Sequence, residues 1–341
     1  METILFFAPT ESDGSLTKAA LEALGVARAL ATGLNASLVV GLTGANVQPA
    51  ADRIATCGAS RFLATAGPDF GCSRYATDAA AAEGLCRAAG ATVVIAPATT
   101  RCNRALPGVA QRLAGRVDTH VTGVAAANGA VIVNRWYYRQ RMEASLQRRQ
   151  RPWLILVDPG SQPAWQGAAG SAHLEAVAVE VTDQLRRTQV VGVREPAAEA
   201  QTIRPEADLL FVAGAGWTKK QADGQPHAAE AEKLIWDCLK LARASLGSSK
   251  SLVDLGGEGQ SVLSFLTHLN QVGQTGSTPR HPKGLATCCH GEEPHTVGWR
   301  FISQRRAVNL DPNCGWARGK ADVLYVADAF AVMTKVNELL R

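Results

Sequence analysis

The regular alternation of apolar runs with helical stretches through the first half of this chain constrains its fold more than any other feature. Ile4–Ala8 reads as a strand, Leu16–Ala31 as an Ala-rich helix and Ser37–Leu42 as a second strand. Val47–Thr56 follows as a helix, Arg61–Thr65 as an extended segment, Thr77–Ala89 as a helix and Ala91–Ala96 as a buried strand closed by Pro97. Asn103–Leu113 and His120–Ala125 continue the series as helix and strand. Such alternation predicts a mostly parallel sheet with helices on both faces. Ala130–Tyr138, Trp153–Val157 and Leu174–Val181 read as further extended segments, expected as antiparallel additions to that sheet. No Gly-x-Gly-x-x-Gly run follows Ile4–Ala8, so a dinucleotide site in this half is not supported.

Over Arg194–Pro205 the pattern loosens into Glu, Ala, Gln and Pro, the composition of a linker. A length of 341 residues accommodates two α/β domains, placed here at 1–195 and 196–341. Ala207–Ala213 gives a buried strand running into Gly214-Ala215-Gly216, and Ala228–Ser245 a long amphipathic helix. Strand, glycine turn and helix form the opening of a mononucleotide-binding βαβ unit, although a lone Gly-x-Gly is a weak signal. Ser251–Asp254, Ala286–Cys289, Arg306–Asn309 and Val323–Ala327 read as short strands, and 328–341 as a closing helix. The expected second domain is therefore a doubly wound sheet.

The run Asn270–Pro279 carries the strongest functional signal. Two glycines and a threonine among amides, with no charge before Arg280, make a loop whose backbone N–H groups can approach an anion closely. Phosphate is the usual occupant of such a loop, and a plain surface turn is the alternative. A net charge of +5 without a long basic run makes nucleic acid a poor candidate partner. Arg135, Arg139, Arg141, Arg148, Arg149 and Arg151 crowd around Trp136, Tyr137 and Tyr138, which suits an acidic partner surface, a ligand phosphate or a solvated hairpin edge. Thr99–Arg104 lies just past the Ala91–Ala96 strand, where open α/β sheets place ligands, and reads more simply as a helix cap. The eight cysteines are scattered, no basic n-region precedes the first strand, and no run approaches the ~20 apolar residues of a membrane span. A reduced, cytoplasmic setting is the expectation.

Residues 207–341 resemble the flavin-binding domain of the electron-transfer flavoprotein alpha subunit. Gly214-Ala215-Gly216 lies where that family has Gly-Arg-Gly, and Ser249-Lys250 before Val253-Asp254 where it has Ser-Arg before Val-Asp. Gln271-Val272-Gly273-Gln274-Thr275-Gly276 matches the family's run letter for letter. Cys288-Cys289-His290-Gly291-Glu292-Glu293-Pro294-His295 falls on Gly-Ile-Ser-Gly-Ala-Ile-Gln-His. Val308-Asn309-Leu310-Asp311 matches Ile-Asn-x-Asp, and Ala327-Asp328-Ala329-Phe330 matches Ala-Asp-Leu-Phe. Residues 1–195 resemble the family's other domain more loosely.

The resemblance implies an extended FAD. Gln271–Thr275 would border the flavin and ribityl chain, Gly214–Gly216 and Asn309–Asp311 the pyrophosphate and adenosine end, and Asp328 the adenine side. His295 would bond near the pyrimidine edge of the ring. It implies an electron carrier without substrate turnover of its own. The partners would be a beta subunit, a flavin dehydrogenase donor and a membrane or iron–sulfur acceptor, and residues 194–205 would serve as a hinge. A second FAD in the partner subunit would accompany electron bifurcation. Three departures stand against the matches. Ala215 lacks the family's arginine near the phosphates, Lys250 lacks the planar fork of the arginine over the ring, and His290-Gly291-Glu292 replaces Ser-Gly-Ala. The alternatives are a flavin-free structural or regulatory subunit on the same fold, and a site for AMP or another adenine nucleotide. Cys288, Cys289, His290, His295 and Cys314 lack zinc or iron–sulfur spacing, so no metal is expected.

Overall fold

The computed structural model describes residues 2–138, 142–192, 207–249, 280–287 and 302–341, with the shorter stretches 203–204, 252–253, 262–267 and 270–272 and residue 299. The chain divides into two compact units, Met1–Val193 and Arg194–Arg341.

In the first unit β1 (Thr3–Pro9), α1 (Lys18–Leu34), β2 (Ser37–Gly44), α2 (Gln48–Arg53), β3 (Arg61–Ala66), α3 (Pro68–Gly71), α4 (Tyr75–Ala89) and β4 (Val93–Pro97) follow the expected alternation. Then come α5 (Thr100–Arg112), β5 (Arg116–Ala127), β6 (Ala130–Tyr137), β7 (Met142–Leu146), β8 (Trp153–Val157), β9 (Leu174–Ala176) and α6 (Asp183–Arg186). The sheet runs β7-β6-β5-β8-β4-β1-β2-β3-β9. Only the β5–β6 and β6–β7 pairs are antiparallel. Pleating sends alternate β1 side chains to opposite faces. Ile4, Phe6 and Ala8 pack under α1 and α2, while Leu5 and Phe7 pack under α4 and α5.

Two expected antiparallel additions are parallel instead. Trp153–Val157 is an interior strand, parallel to β4 on one side and β5 on the other. All of its side chains are buried, and an unbroken apolar run of this kind is what burial on both faces selects. The segment expected over Leu174–Val181 shortens to β9, which pairs in parallel with β3. The segment expected over Ala130–Tyr138 is antiparallel as β6, paired with β5 on one side and on the other with β7, whose mixed Met-Glu-Ala-Ser-Leu sequence carries no clear strand pattern.

The second unit contains β10 (Leu209–Ala213), a 3₁₀ turn at Ala215–Trp217, α7 (Ala228–Leu241), β11 (Ser245–Ser248), β12 (Lys283–Thr287), β13 (Gln304–Asn309), α8 (Gly315–Lys320), β14 (Val323–Val326) and α9 (Ala329–Leu340). Its strands run β11-β10-β12-β13-β14, all in parallel. Residues of α7 and α9 bury one face with Phe211, Leu246 and Val308. Trp299, Ile302 and Ala317 bury the other with Leu210, Val212 and Ala286. The sheet is therefore doubly wound.

The helix expected to reach Ser245 ends at Leu241, with Arg243 in the left-handed region at φ 50°. The residues that follow form β11, and Leu252–Val253, expected as strand, are helical. Parallel pairing with β10 overrides the helical propensity of this Ala- and Leu-containing stretch. Gly247 makes the pairing sterically possible, because a Cβ there would lie 2.6 Å from Val272 Cγ2.

Candidate functional site

In the second sheet β11 lies on one side of β10 and β12 on the other, so the strand order reverses at β10. Open α/β sheets bind ligands at this point, in the crevice beyond the carboxyl ends of the strands. The parallel register brings Ala213, Ser248 and Thr287 level at that edge. Gly214 N–H donates to Thr287 O (2.8 Å) and Ser249 N–H to Ala213 O (2.9 Å), which carries the ladder one residue past each strand. Gln271 then forms a parallel bridge to Ser248, with Val272 N–H donating to Ser248 O at 3.1 Å. The start of the Gln271–Gly276 run is thus fixed against β11 at the carboxyl edge.

Burial at this edge leaves polar atoms without partners. Ser248 and Ser249 are fully buried and Gln271 is nearly so, yet Ser248 Oγ and Gln271 Oε1 accept and donate no hydrogen bond. Leaving such groups unsatisfied costs about 1–3 kcal/mol each. The pair offers a hydroxyl and an amide oxygen to a ligand with hydroxyl or N–H groups, and its local setting fits one. Ser248 is a candidate that the sequence reading does not include, because that reading places the strand at Ser251–Asp254, whereas β11 ends at Ser248.

The remaining described candidates have structural partners. Ala215 is fully buried in the same core cluster as Trp217 and Ile235. Gly216 O accepts from Gln221 Nε2 at 3.1 Å. Trp217 Nε1 donates to Thr287 Oγ1 (2.8 Å), whose hydroxyl donates to Val212 O (3.1 Å). The Phe330 ring packs on Trp217 with centroids 4.7 Å apart. Asn309 Oδ1 accepts from Asp311 N–H (3.0 Å), and Asp311 Oδ1 from Asn313 N–H (2.7 Å), so two successive side-chain turns shape the exit of β13. Asp328 caps α9, its carboxylate accepting from Ala331 N–H at 2.9 Å.

The glycine turn does not run straight into a helix. Residues 218–227 intervene, organised by a bridge between Lys220 and Pro226 and by Asp223. The Asp223 carboxyl is held below its ordinary value by the Gln225 N–H and by His227. The amino end of α7 still packs close to the turn, with Ala231 in the same core cluster as Ala215 and Trp217. Lys250, Gly273, Gln274, Thr275, Gly276, Cys288, Cys289, His290, Gly291 and His295 lie outside the described residues.

The arginine-rich ribbon of the first unit is largely engaged internally. Arg135 Nη1 donates to Asp118 Oδ1 at 2.7 Å, Arg148 Nη2 to the same oxygen at 2.9 Å and Trp153 Nε1 to Oδ2 at 2.8 Å. Burial alone would raise the Asp118 carboxyl, but the bonds from Arg148, Arg135 and Trp153 outweigh it and hold the group low. Arg151 pairs with Glu2, while Arg139 and Arg141 fall outside the described residues. Thr99 caps α5, its hydroxyl accepting from Cys102 N–H at 3.3 Å. Burial pushes the Cys86 thiol up to about 12, and those of Cys102 and Cys238 up to about 11, which suppresses thiolate chemistry at these positions. Among the described residues no three His, Cys, Asp or Glu side chains gather to hold a metal. No helix of the described residues is long and apolar enough to cross a membrane.

Comparison with known proteins adds a family match and two relatives. The electron transfer flavoprotein domain family matches residues 4–206. Protein FixB of Clostridium saccharobutylicum is 25% identical over 339 residues, spanning 97% of this chain and 92% of that protein. The electron transfer flavoprotein subunit alpha of Thermoanaerobacterium thermosaccharolyticum is 25% identical over 336 residues, spanning 97% and 96%. The family match ends close to the start of the second unit, while both pairwise matches run through that unit.

Proposed function

We propose, from the premise that this chain belongs to the electron transfer flavoprotein domain family, that it is the alpha subunit of a heterodimeric electron carrier and holds FAD at the carboxyl edge of its second sheet. The observation that carries this reading is the buried, unpartnered pair of Ser248 Oγ and Gln271 Oε1 where the strand order reverses. A flavin's ribityl hydroxyls and ring N–H are groups of the kind that pair would satisfy. When bound, FAD supplies reversible one- and two-electron transfer.

The chain's own residues would hold and tune it. Ser248, Ser249 and Gln271 line the switch point, and Gly273–Gly276 would supply backbone N–H groups. Lys250 would place a positive charge near the ring and His295 a donor at its pyrimidine edge, each favouring the negative charge of reduced flavin. Asn309 and Asp311 would shape the adenosine end, with Asp328 and Phe330 beside it. A beta subunit would complete the site, a flavin dehydrogenase would deliver electrons, and a membrane or iron–sulfur acceptor would remove them. Ile203 packs into the second unit, and Arg204 N–H donates to Ser245 Oγ at 2.7 Å. A hinge in the linker would therefore precede Ile203.

A second reading is favoured by one observation: Ala215, Asp328 and Phe330 are occupied by core packing and capping. On that reading the chain is a flavin-free subunit that binds an adenine nucleotide or nothing. Visible absorption of the chain co-expressed with an electron transfer flavoprotein beta subunit, followed by dithionite titration, separates the two. Flavin bands that bleach through a red semiquinone are the expected result. A colourless heterodimer that takes up no added FAD would overturn the carrier reading.

A further inference from the structure

A cavity of about 350 Å³ lies in the first unit, and nothing in the electron-carrier reading uses it. Its walls are the amino end of α4 (Ser73, Arg74, Tyr75), the Arg104 and Arg112 face of α5, and Arg187 just after α6. Arg104 and Arg112 are eight positions apart, so two helical turns put them on one face. Tyr75 lies against α5 because Gly108 leaves room for it; a Cβ there would fall 2.1 Å from the phenolic oxygen. Every ionisable group lining the cavity other than that phenol is an arginine, and no carboxylate lines it.

The surrounding charge is unbalanced. Asp69 is bound by Arg186 (2.8 Å), Asp78 by Arg101 (2.6 Å) and Glu83 by Arg87 (2.8 Å). Arg74 and Arg104 approach Asp69 and Asp78 at 3.7 and 3.5 Å. Arg112 donates to Glu83 Oε2 at 3.2 Å while Arg87 holds Oε1, so each of the three shares its carboxylate with another arginine. With Arg187, seven guanidiniums stand against Asp69, Asp78, Glu83 and the exposed Asp183, an excess of three positive charges (7 − 4). Arg74 is the most telling of them. Its side chain is only 14% exposed, and its buried Nε and Nη1 have no hydrogen-bond acceptor. It stands at the N-cap of α4, where no side chain caps the helix.

We propose that this cavity binds a phosphate-bearing small molecule. Guanidinium groups match phosphate oxygens in bidentate fashion, and an uncapped helix start adds N–H donors and a favourable dipole. The volume lies within the range of small-ligand pockets, roughly 300–1,000 Å³. Enclosure by three chain segments selects a small molecule over an extended acidic surface. Because Arg187 follows α6, which Arg186 ties to Asp69, the ligand would clamp the last segment of the first unit onto α4 and α5.

Calorimetric titration of the full chain with pyrophosphate tests this. The Arg104→Gln and Arg187→Gln variants should each bind about tenfold more weakly, as loss of one charge-assisted contact implies. Arg28→Gln, an equal change of charge on the opposite face of the sheet, should stay within about twofold. Arg187 is exposed, so its substitution leaves the fold intact even if Arg104→Gln loosens α5. Pyrophosphate should also slow tryptic cleavage after Arg186 and Arg187 in the unsubstituted chain and not in Arg187-independent sites elsewhere. Absence of pyrophosphate binding, or binding that Arg104→Gln and Arg187→Gln leave unchanged, would overturn the proposal. The second outcome would move the anion to another site, and its displacement by added FAD would assign it to the edge of the second sheet.

Discussion

Asp118 shows how a single side chain converts an apparent surface patch into structure. The arginine-rich ribbon reads in sequence as a site for an acidic partner or a phosphate, or as a solvated hairpin edge, yet Arg135 and Arg148 converge on one fully buried carboxylate. Asp118→Ala should destabilise the first unit by about 3–5 kcal/mol in urea unfolding at pH 7, because two guanidiniums lose their counter-charge. The pH dependence follows from the depressed folded pKa. The contribution is complete above the unfolded carboxyl value of about 3.9 and disappears as pH falls through the lower folded value. Unfolding of Asp118→Asn should therefore be less steeply acid-dependent below about pH 4 than that of the native chain. At the other site, Ser248→Ala removes an unsatisfied buried hydroxyl. It should leave the flavin-free chain as stable or up to about 1 kcal/mol more stable, while weakening FAD binding by about tenfold, measured by flavin fluorescence on titration. Ser248 was hidden in the sequence because its meaning depends on where β11 ends. Gln271 stands out in the sequence because its unusual loop composition needs no register to be noticed.

At the scale of elements, the first half of the chain was readable wherever an amphipathic helix followed an apolar strand. β1 to β4 and α1, α4 and α5 fall where the alternation puts them. Pairing partners were not readable. Trp153–Val157 is evident as a strand, but nothing local states that it inserts between β4 and β5. β11 was obscured by continuity of Ala and Leu with the preceding helix, and only close packing against Val272 explains Gly247. Gly247→Ala should cost about 1–3 kcal/mol, measured by chemical denaturation, because the new methyl overlaps Val272. The same substitution should disturb the bridge from Ser248 to Gln271 and so lower flavin occupancy along with stability.

At the scale of the whole molecule, each unit has its own sheet with helices and apolar clusters on both faces. A chain ending at Val193 should therefore fold alone and unfold in one cooperative transition followed by circular dichroism. Absence of a cooperative transition would show that the first unit needs the second. The position of β8 has a consequence for synthesis. It sits between β4 and β5, yet it is made after both and after the β6–β7 ribbon. While a nascent chain emerges from the ribosome, β4 and β5 wait with facing edges unpaired and an open slot between them. Two bare parallel edges are sticky toward any other strand. A message broken before the codon for Trp153 would thus yield an aggregating product rather than a smaller folded one, and slow translation just upstream of that codon would prolong the same hazard.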